Sequence, residues 1–465
     1  MFSRPALLLA LAGLATASFE ITDPSDTVGT VAWESDNAIL ADYADATIMY
    51  QYITVTGPYY YDGTTETISY ETLEADANDT SVLVATEGAV VNVSYTEIIK
   101  YGYSSDLLQA SFFGTNAAVN VANGSSVSLD NVNITVHNGA ANVYSYGSGS
   151  YVYVDGAFLY SSGPVSHGLY AGGNGTIYAT NVEHYSGGNR CSSFSGDSPA
   201  GYVYVSDSVA HTDGIGSAIA YALGTVELTN VIGHASNAPA LFMDANQIAS
   251  FTDCDLTAGL LGGIMIFSSA DRYSGASVTF TDSKLTTLGA TMPALWFGNV
   301  IGTVSLTNTI LNTTSGILAV ANYSQVTQDF DYYADYTDNS ALQSAAMTVD
   351  IASSDLTGDL VAYNGSSIVW NLTDYSTWTG TAYSGYGDAY FGISLDATST
   401  WILTADTTVT NLTSANGTYN IESNGFNVYY TDYGNSTKRG LEVRTVPLKG
   451  GGKLMPKYLA KEFRA

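Results

Sequence analysis

A nine-residue pattern recurs along this chain, and it restricts the possible folds more than any other feature. Each copy is an alternating strand, an Asn or Asp, and a second short alternating segment. Copies start at Val127 (VSLDNVNIT), Val152 (VYVDGAFLY), Ile177 (IYATNVEHY), Val203 (VYVSDSVAH), Val226 (VELTNVIGH), Ala249 (ASFTDCDLT), Val278 (VTFTDSKLT), Val304 (VSLTNTILN) and Val349 (VDIASSDLT). The first spacings are 25, 25, 26, 23 and 23 residues. Strand alternation at such a period, with no helical pattern, marks a stacked β-solenoid. The expected fold class is all-β: a single-stranded right-handed parallel β-helix.

Taking the first residue of each copy as position zero, the columns separate by chemistry. Position four holds Asn131, Asn181, Asp207, Asn230, Asp253, Asp282 and Asn308, with Gly156 and Ser353 as departures. Asn and Asp tolerate the left-handed region and bond their own backbone, so this column predicts tight corners. Stacked one per turn, their side chains are expected to form a ladder. Position two is mostly apolar, from Leu129 and Val154 to Phe280 and Leu306, and predicts core. Position seven reads Ile134, Leu159, His184, Ala210, Gly233, Leu256, Leu285, Leu311 and Leu356, a core column thinned in its middle. Position eight, which includes Tyr160, Tyr185, His211, His234, Thr257 and Thr286, predicts its solvent-facing neighbour. No turn buries its apolar face alone; stacking supplies both the core and the backbone partners.

Around the repeats the chain divides into four parts. Residues 1–17 read as a secretory signal peptide, with Arg4 before an apolar run and Ala15-Thr16-Ala17 as a small-residue cleavage site. Residues 18–80, rich in Tyr, Thr and Asp, are expected to form an N-terminal cap that covers the open sheet end. The β-helix is expected over 81–437, interrupted by an excursion from Gln325 to Gln343. Residues 438–465 read as a basic, disordered tail with a dibasic pair at Lys438-Arg439. Nothing after the leader reaches the roughly 18 apolar residues of a membrane span.

Secretion is also the context for 12 Asn-x-Ser/Thr sequons, at Asn78, Asn92, Asn123, Asn133, Asn174, Asn312, Asn322, Asn364, Asn371, Asn411, Asn416 and Asn435. None falls between Asn174 and Asn312, so the central turns form a glycan-free window. The chain carries 13 basic against 43 acidic residues, a net charge of −30. Only Lys100, Arg190, Arg272 and Lys284 are basic between the leader and Thr437. Such a body repels nucleic acid and other polyanions. Two cysteines, Cys191 and Cys254, sit two turns apart, roughly 10 Å at ~4.8 Å per turn. That exceeds a disulfide's Cα reach of about 7 Å, whereas export favours pairing, and the residues leave the pairing open.

Three constellations qualify as candidate sites. The thinned core column either makes room for His184 as a hydrogen-bonded interior residue or marks a groove lined by His184, Arg190, His211, Asp213 and His234. His211-Thr-Asp213 brings an imidazole near a carboxylate, the groups of acid–base and glycoside chemistry; the plainer reading is an exposed corner with His211 and His234 stacked outward. Two histidines without a third ligand are a poor basis for a metal site, and no cofactor is expected. The third is aromatic: Tyr170, Tyr221, Phe242, Phe267, Trp296 and Phe297 lie on the strand before each copy. Those facing outward would form a ladder of sugar-stacking platforms, a role that Tyr221 suits better than the Phe residues.

The Asx corners, apolar columns and period resemble the pectin-lyase-like right-handed parallel β-helix superfamily. Segments such as SPAGYVYVSDS, GSAIAYALGTVELTN and MPALWFGN look like secreted adhesin-like β-helix proteins, with ends similar to autotransporter passengers. The resemblance covers residues 81–433 and implies the fold. It does not carry over the family's chemistry: His167-Gly168 is present, but an Arg-x-Lys and matching paired Asp residues are not, and four basic residues are too few to hold a polyuronate. The leading expectation is a cell-surface or polysaccharide-binding adhesin-like glycoprotein that is secreted and takes a carbohydrate partner. Its competitors are an inverting glycosidase acting on neutral glycan, for which Asp213, His211 and His184 are the catalytic candidates, and a structural wall or matrix protein.

Overall fold

The structure, a computed structural model, describes residues 55–457 apart from 103, 105–106, 138–140, 198, 260–261, 269–270, 323–342, 386 and 435–444. The expected leader, residues 18–54 of the expected cap, nearly all of the central excursion, Asn435 and the Lys438-Arg439 pair lie outside the described residues.

The chain winds into a parallel β-helix of about 14 turns. One side is a sheet of 13 short strands running from Tyr59–Asp62 to Ala382–Ser384. On the other side the repeat itself supplies the strands. In five successive turns it is unbroken over 11 residues: Ser126–Val136, Tyr151–Ser161, Thr176–Ser186, Tyr202–Thr212 and Thr225–Ala235. Register is residue for residue, so Val127, Val152, Ile177, Val203 and Val226 stack as one column. Equivalent positions in the sequence repeat are thus neighbours in space. The only helix among the described residues is Leu107–Phe113, and none is long and apolar enough to cross a membrane.

The position-four column makes the corners as its chemistry predicts. Asn131, Asn181, Asp207, Asn230, Asp253, Asp282 and Asn308 all have φ between 48° and 55°. Gly156 and Ser353, the sequence departures, keep the conformation at 72° and 52°. The ladder forms in part: Asn230 donates to Asp207 and Asn308 to Asp282, each at 2.6 Å. An amide between carboxylates donates where a second carboxylate would repel.

Inside, positions two and seven are buried as expected, Leu256 and Leu285 completely. Just past the corner a column of hydroxyls also points inward. Ser208, Ser283, Ser354 and Ser376 accept from the amides of Val182, Cys254, Thr309 and Ser354 at 2.9–3.2 Å. These bonds satisfy amides that the bend removes from the sheet ladder. In the C-terminal turns the interior is filled by Trp370, Trp378 and Trp401, with Trp378 stacked on Trp401 at 4.9 Å between ring centres.

Two boundaries differ from expectation. Within the expected cap, Tyr59–Asp62, Thr65–Ser69 and Thr72–Ala75 already pair in parallel with the following turn, so the solenoid starts before residue 81. Tyr59–Asp62 and Thr72–Ala75 alternate between inside and outside, Thr65–Ser69 does not, and Tyr70 in place of an Asx residue occupies the corner at φ 60°. Within the expected disordered tail, Lys453–Pro456 pairs with the strand Val428–Gly434. Leu454 is fully buried there and Leu448 nearly so, and Lys449 pairs with Glu422. Cys191 and Cys254 are both buried and are not joined to each other.

Candidate functional site

The five long strands carry two ladders of rings on their outer face, one on each side of the Asx corner. Side chains alternate across a strand, so positions one and three point out before the corner and position eight points out after it.

Position one brings Tyr153, Tyr178 and Tyr204 into adjacent register. Their rings stack at 5.7 and 5.1 Å with planes within 13° of parallel. Rings stacked in this way use their faces on one another, so edges and phenolic hydroxyls are what the solvent meets. Beside them runs position three: Asp130, Asp155, Thr180, Ser206 and Thr229. The two columns enclose an axial groove of about 730 Å³. Amides from the corner column hold its carboxylates in place, Asn131 donating to Asp130 and Asn181 to Asp155, both at 2.8 Å.

Position eight forms the second ladder. Tyr160, Tyr185, His211 and His234 stack at 6.1, 4.9 and 5.1 Å between ring centres. Asp213 fastens it at the edge. The Tyr185 hydroxyl donates to Oδ2, and His211 Nε2 (2.9 Å) and the Ser236 hydroxyl (2.7 Å) share Oδ1. Partial burial works against the charge on Asp213. The bonds from Tyr185, Ser236 and His211 outweigh it and keep the carboxyl below its ordinary pKa. The same bond to Asp213, helped by burial, pushes the Tyr185 phenol up to about 12. The result is a strip of rings that is half-exposed from Tyr185 to His234, with an ionised acceptor at its edge; Tyr160, expected to face solvent, is buried. Among the described residues no three His, Cys, Asp or Glu side chains converge as metal ligands.

The candidate residues from the sequence therefore separate. His211, Asp213 and His234 come together on the outer face. His184 does not join them: it is buried, with Nε2 3.0 Å from the Ser161 hydroxyl and Nδ1 2.8 Å from that of Ser193. Burial pulls its pKa down to about 3, so the imidazole is neutral. Arg190 is buried too, close enough to act electrostatically on His167 and Cys191. The thinned core column is not a groove. A Cβ on Gly233 would lie 2.5 Å from Ile219 Cδ1, so the space at Gly233 is taken by Ile219, the residue before the strand Ala220–Ala222 of the facing sheet. Tyr221 is not a free platform either. It is half-buried beside a second apolar cluster that includes Phe242, Met265, Trp296 and Val320.

The groove tyrosines were not among the candidates. Their signal is the second letter of VYVDG, IYATN and VYVSD, the same outward position filled by Tyr in three successive copies. Of the sequon asparagines, none of those among the described residues is buried. Asn92 and Asn371 occupy the groove's own position-one column, two turns before Tyr153 and well past Tyr204. No known family profile matches the chain, and no curated protein is significantly similar to it in sequence.

Proposed function

We propose that this chain is a secreted, glycosylated, adhesin-like β-helix whose long-strand face binds uncharged carbohydrate. The axial groove between Tyr153, Tyr178 and Tyr204 and the Asp130–Thr229 column carries the reading. It offers ring edges, phenolic and aliphatic hydroxyls and fixed carboxylate acceptors, a set suited to a hydroxyl-rich ligand. The carboxylates of Asp130, Asp155 and Glu227 disfavour an anionic one. The leader supports export, and the exposure of the described sequon asparagines supports glycosylation.

The test is calorimetry with soluble neutral oligosaccharides, preceded by a glycan array and run beside a reducing-end assay. Wild type is expected to bind without releasing reducing ends. Tyr178→Ala removes the middle ring and is expected to weaken binding by about tenfold. An array without any bound neutral glycan overturns the proposal. Turnover that disappears with Asp213→Asn replaces it with the hydrolase.

A further inference from the structure

One residue past position eight the strand turns a side chain inward again. Small residues fill this column: Ala75, then Val136, Ser161, Ser186 and Thr212 on later turns. Lys100 stands among them, between Ala75 and Val136, and is completely buried. Its Nζ donates to the carbonyls of Ala77 at 2.9 Å and Gly102 at 2.7 Å. The exposed carboxylates of Asp79 and Asp76 lie close enough to act on it electrostatically. Burial outweighs their pull and brings the amine's pKa down to about 7, so a large share of it carries a free lone pair near neutral pH.

Asn116 belongs to the same turn of the stack and is also completely buried, at φ 69°. Both ends of its amide are held. Oδ1 accepts from the Thr80 amide at 3.2 Å, and Nδ2 donates to the Gly102 carbonyl at 3.0 Å. Lys100 and Asn116 therefore converge on one oxygen, and Asn116 Cγ sits one bond beyond the nitrogen that shares it. A buried lysine of lowered pKa is a nucleophile. A carboxamide whose oxygen accepts a fixed N–H is polarised for attack at its carbon. Burial at both groups keeps out the water that would compete.

We propose that Lys100 and Asn116 join through a self-formed isopeptide bond. Nζ of the neutral amine attacks Cγ, and the negative charge that develops on Oδ1 meets the Thr80 N–H. A proton passes from Nζ to Nδ2 with Asp79 as its relay. The Cγ–Nδ2 bond then breaks, ammonia leaves and the carbonyl re-forms. Amine and carboxamide become an amide and ammonia; nothing is oxidised or reduced, and no co-reactant is consumed. The bond closes a ring within one turn, around the helix Leu107–Phe113. That helix is already fastened to later turns, the Tyr144 hydroxyl donating to the Ser111 carbonyl at 3.1 Å and the Ser111 and Tyr170 hydroxyls pairing at 3.0 Å. The bond makes that fastening permanent at its base, and it does not depend on the glycan-binding reading.

The full chain is denatured, cut with chymotrypsin and read by tandem mass spectrometry. Wild type is expected to give a branched peptide that joins the Lys100 segment to the Asn116 segment and is one ammonia lighter than the two together, with most of the linear Lys100 peptide gone. Ammonia lost at Asn-Gly pairs such as Asn123-Gly124 leaves a peptide linear and is not scored. Lys100→Arg and Asn116→Ala are expected to give linear peptides only. Asp79→Asn, a change at an exposed position, is expected to lower the branched fraction several-fold with an unchanged circular dichroism spectrum. The wild-type result decides the matter even where a variant fails to fold. A Lys100 peptide recovered linear in full yield overturns the inference, as does a branch from Lys100 to Asp76 or Asp79 with loss of water. An unchanged branched fraction in Asp79→Asn overturns the relay.

Discussion

The turns around His184 and the turns around Trp378 belong to one stack and are filled in opposite ways. In the central turns an imidazole is held between two hydroxyls, and position seven shrinks to Ala210 and Gly233 while Ile219 reaches in from just before a strand of the facing sheet. In the C-terminal turns three indoles fill the cross-section. Trp378 and Trp401 donate to the carbonyls of Gly358 and Gly380 at 2.8 and 2.9 Å. The stack therefore does not prescribe a side chain at each interior position. It requires that the cross-section be full, and it tolerates a few interior polar atoms without a hydrogen bond, the Trp370 indole N–H among them. A large ring from one strand or a small residue with a long neighbour opposite both satisfy it.

Substitutions can break that comparison. The largest effect is expected where position seven resumes its aliphatic filling. Leu256→Asp puts an unpaired charge in a fully buried site and should cost about 5 kcal/mol. Thr257→Asp, one residue on and half-exposed, should leave the denaturation midpoint almost unmoved. Comparable losses would mean that the facing of the strand is misassigned. Next is Trp378→Ala. It removes the middle of the indole column and leaves the Gly358 carbonyl without its donor, at a cost of about 3–5 kcal/mol. A loss below about 1 kcal/mol, read from denaturant unfolding, would show that the C-terminal turns are not held by their indoles. Gly233→Ala should cost about 2 kcal/mol, because the new methyl would lie 2.5 Å from Ile219 Cδ1 and 3.0 Å from its Cγ1 and Cγ2, so that side chain must shift. Pairing it with Ile219→Val should recover part of that loss, and no recovery would separate the two residues energetically.

The smallest effect is a dependence on pH. His184 has a folded pKa of about 3, against an unfolded value near 6.5. Between these values the unfolded chain binds a proton that the folded chain does not. Its contribution is therefore fully present above about pH 6.5 and is lost as pH falls, by up to about 1.4 kcal/mol per unit. His184→Gln should flatten the fall in melting temperature between pH 7 and 5.5 relative to wild type. The slope will not vanish, because burial also lowers the pKa of His167. A variant slope identical to wild type would mean that His184 is not held neutral.

The fold was legible because a solenoid converts sequence period into spatial adjacency. The corner column, both core columns and the outward ring column could be taken from spacing alone, and Gly156 and Ser353 show that the corner persists where its Asx signature lapses. The site was legible only in part. His211 and His234 follow from position eight, and Asp213 from its place two residues after His211. The gap at position seven left an interior His184 and a groove both open, and the structure has the interior residue; what closes the gap, Ile219, precedes the strand Ala220–Ala222, outside any nine-residue window. The groove tyrosines were passed over for a similar reason. Exposed aromatics were sought on the short strands before each copy, where Phe242 and Trp296 are buried in a second apolar cluster. Tail residues 453–456 were set aside because the tail is basic, Gly-rich and lacks the repeat, although Leu454 and Leu448 are both buried against the stack.

The parallel stack, entered at one end and left at the other with its two thiols unlinked, has a mechanical consequence. Tension applied through the termini is not shared by all turns; it falls on the outermost one. That turn peels by breaking its own rungs while its neighbours stay closed. A turn of 23 residues should then release roughly 75 Å of chain at about 3.3 Å per residue. An anchored molecule would lengthen in steps under load and keep its remaining surface in contact, dissipating a pull that would detach a rigid rod. Single-molecule extension should show a sawtooth with that spacing, and one rip spanning the whole stack would rule the behaviour out.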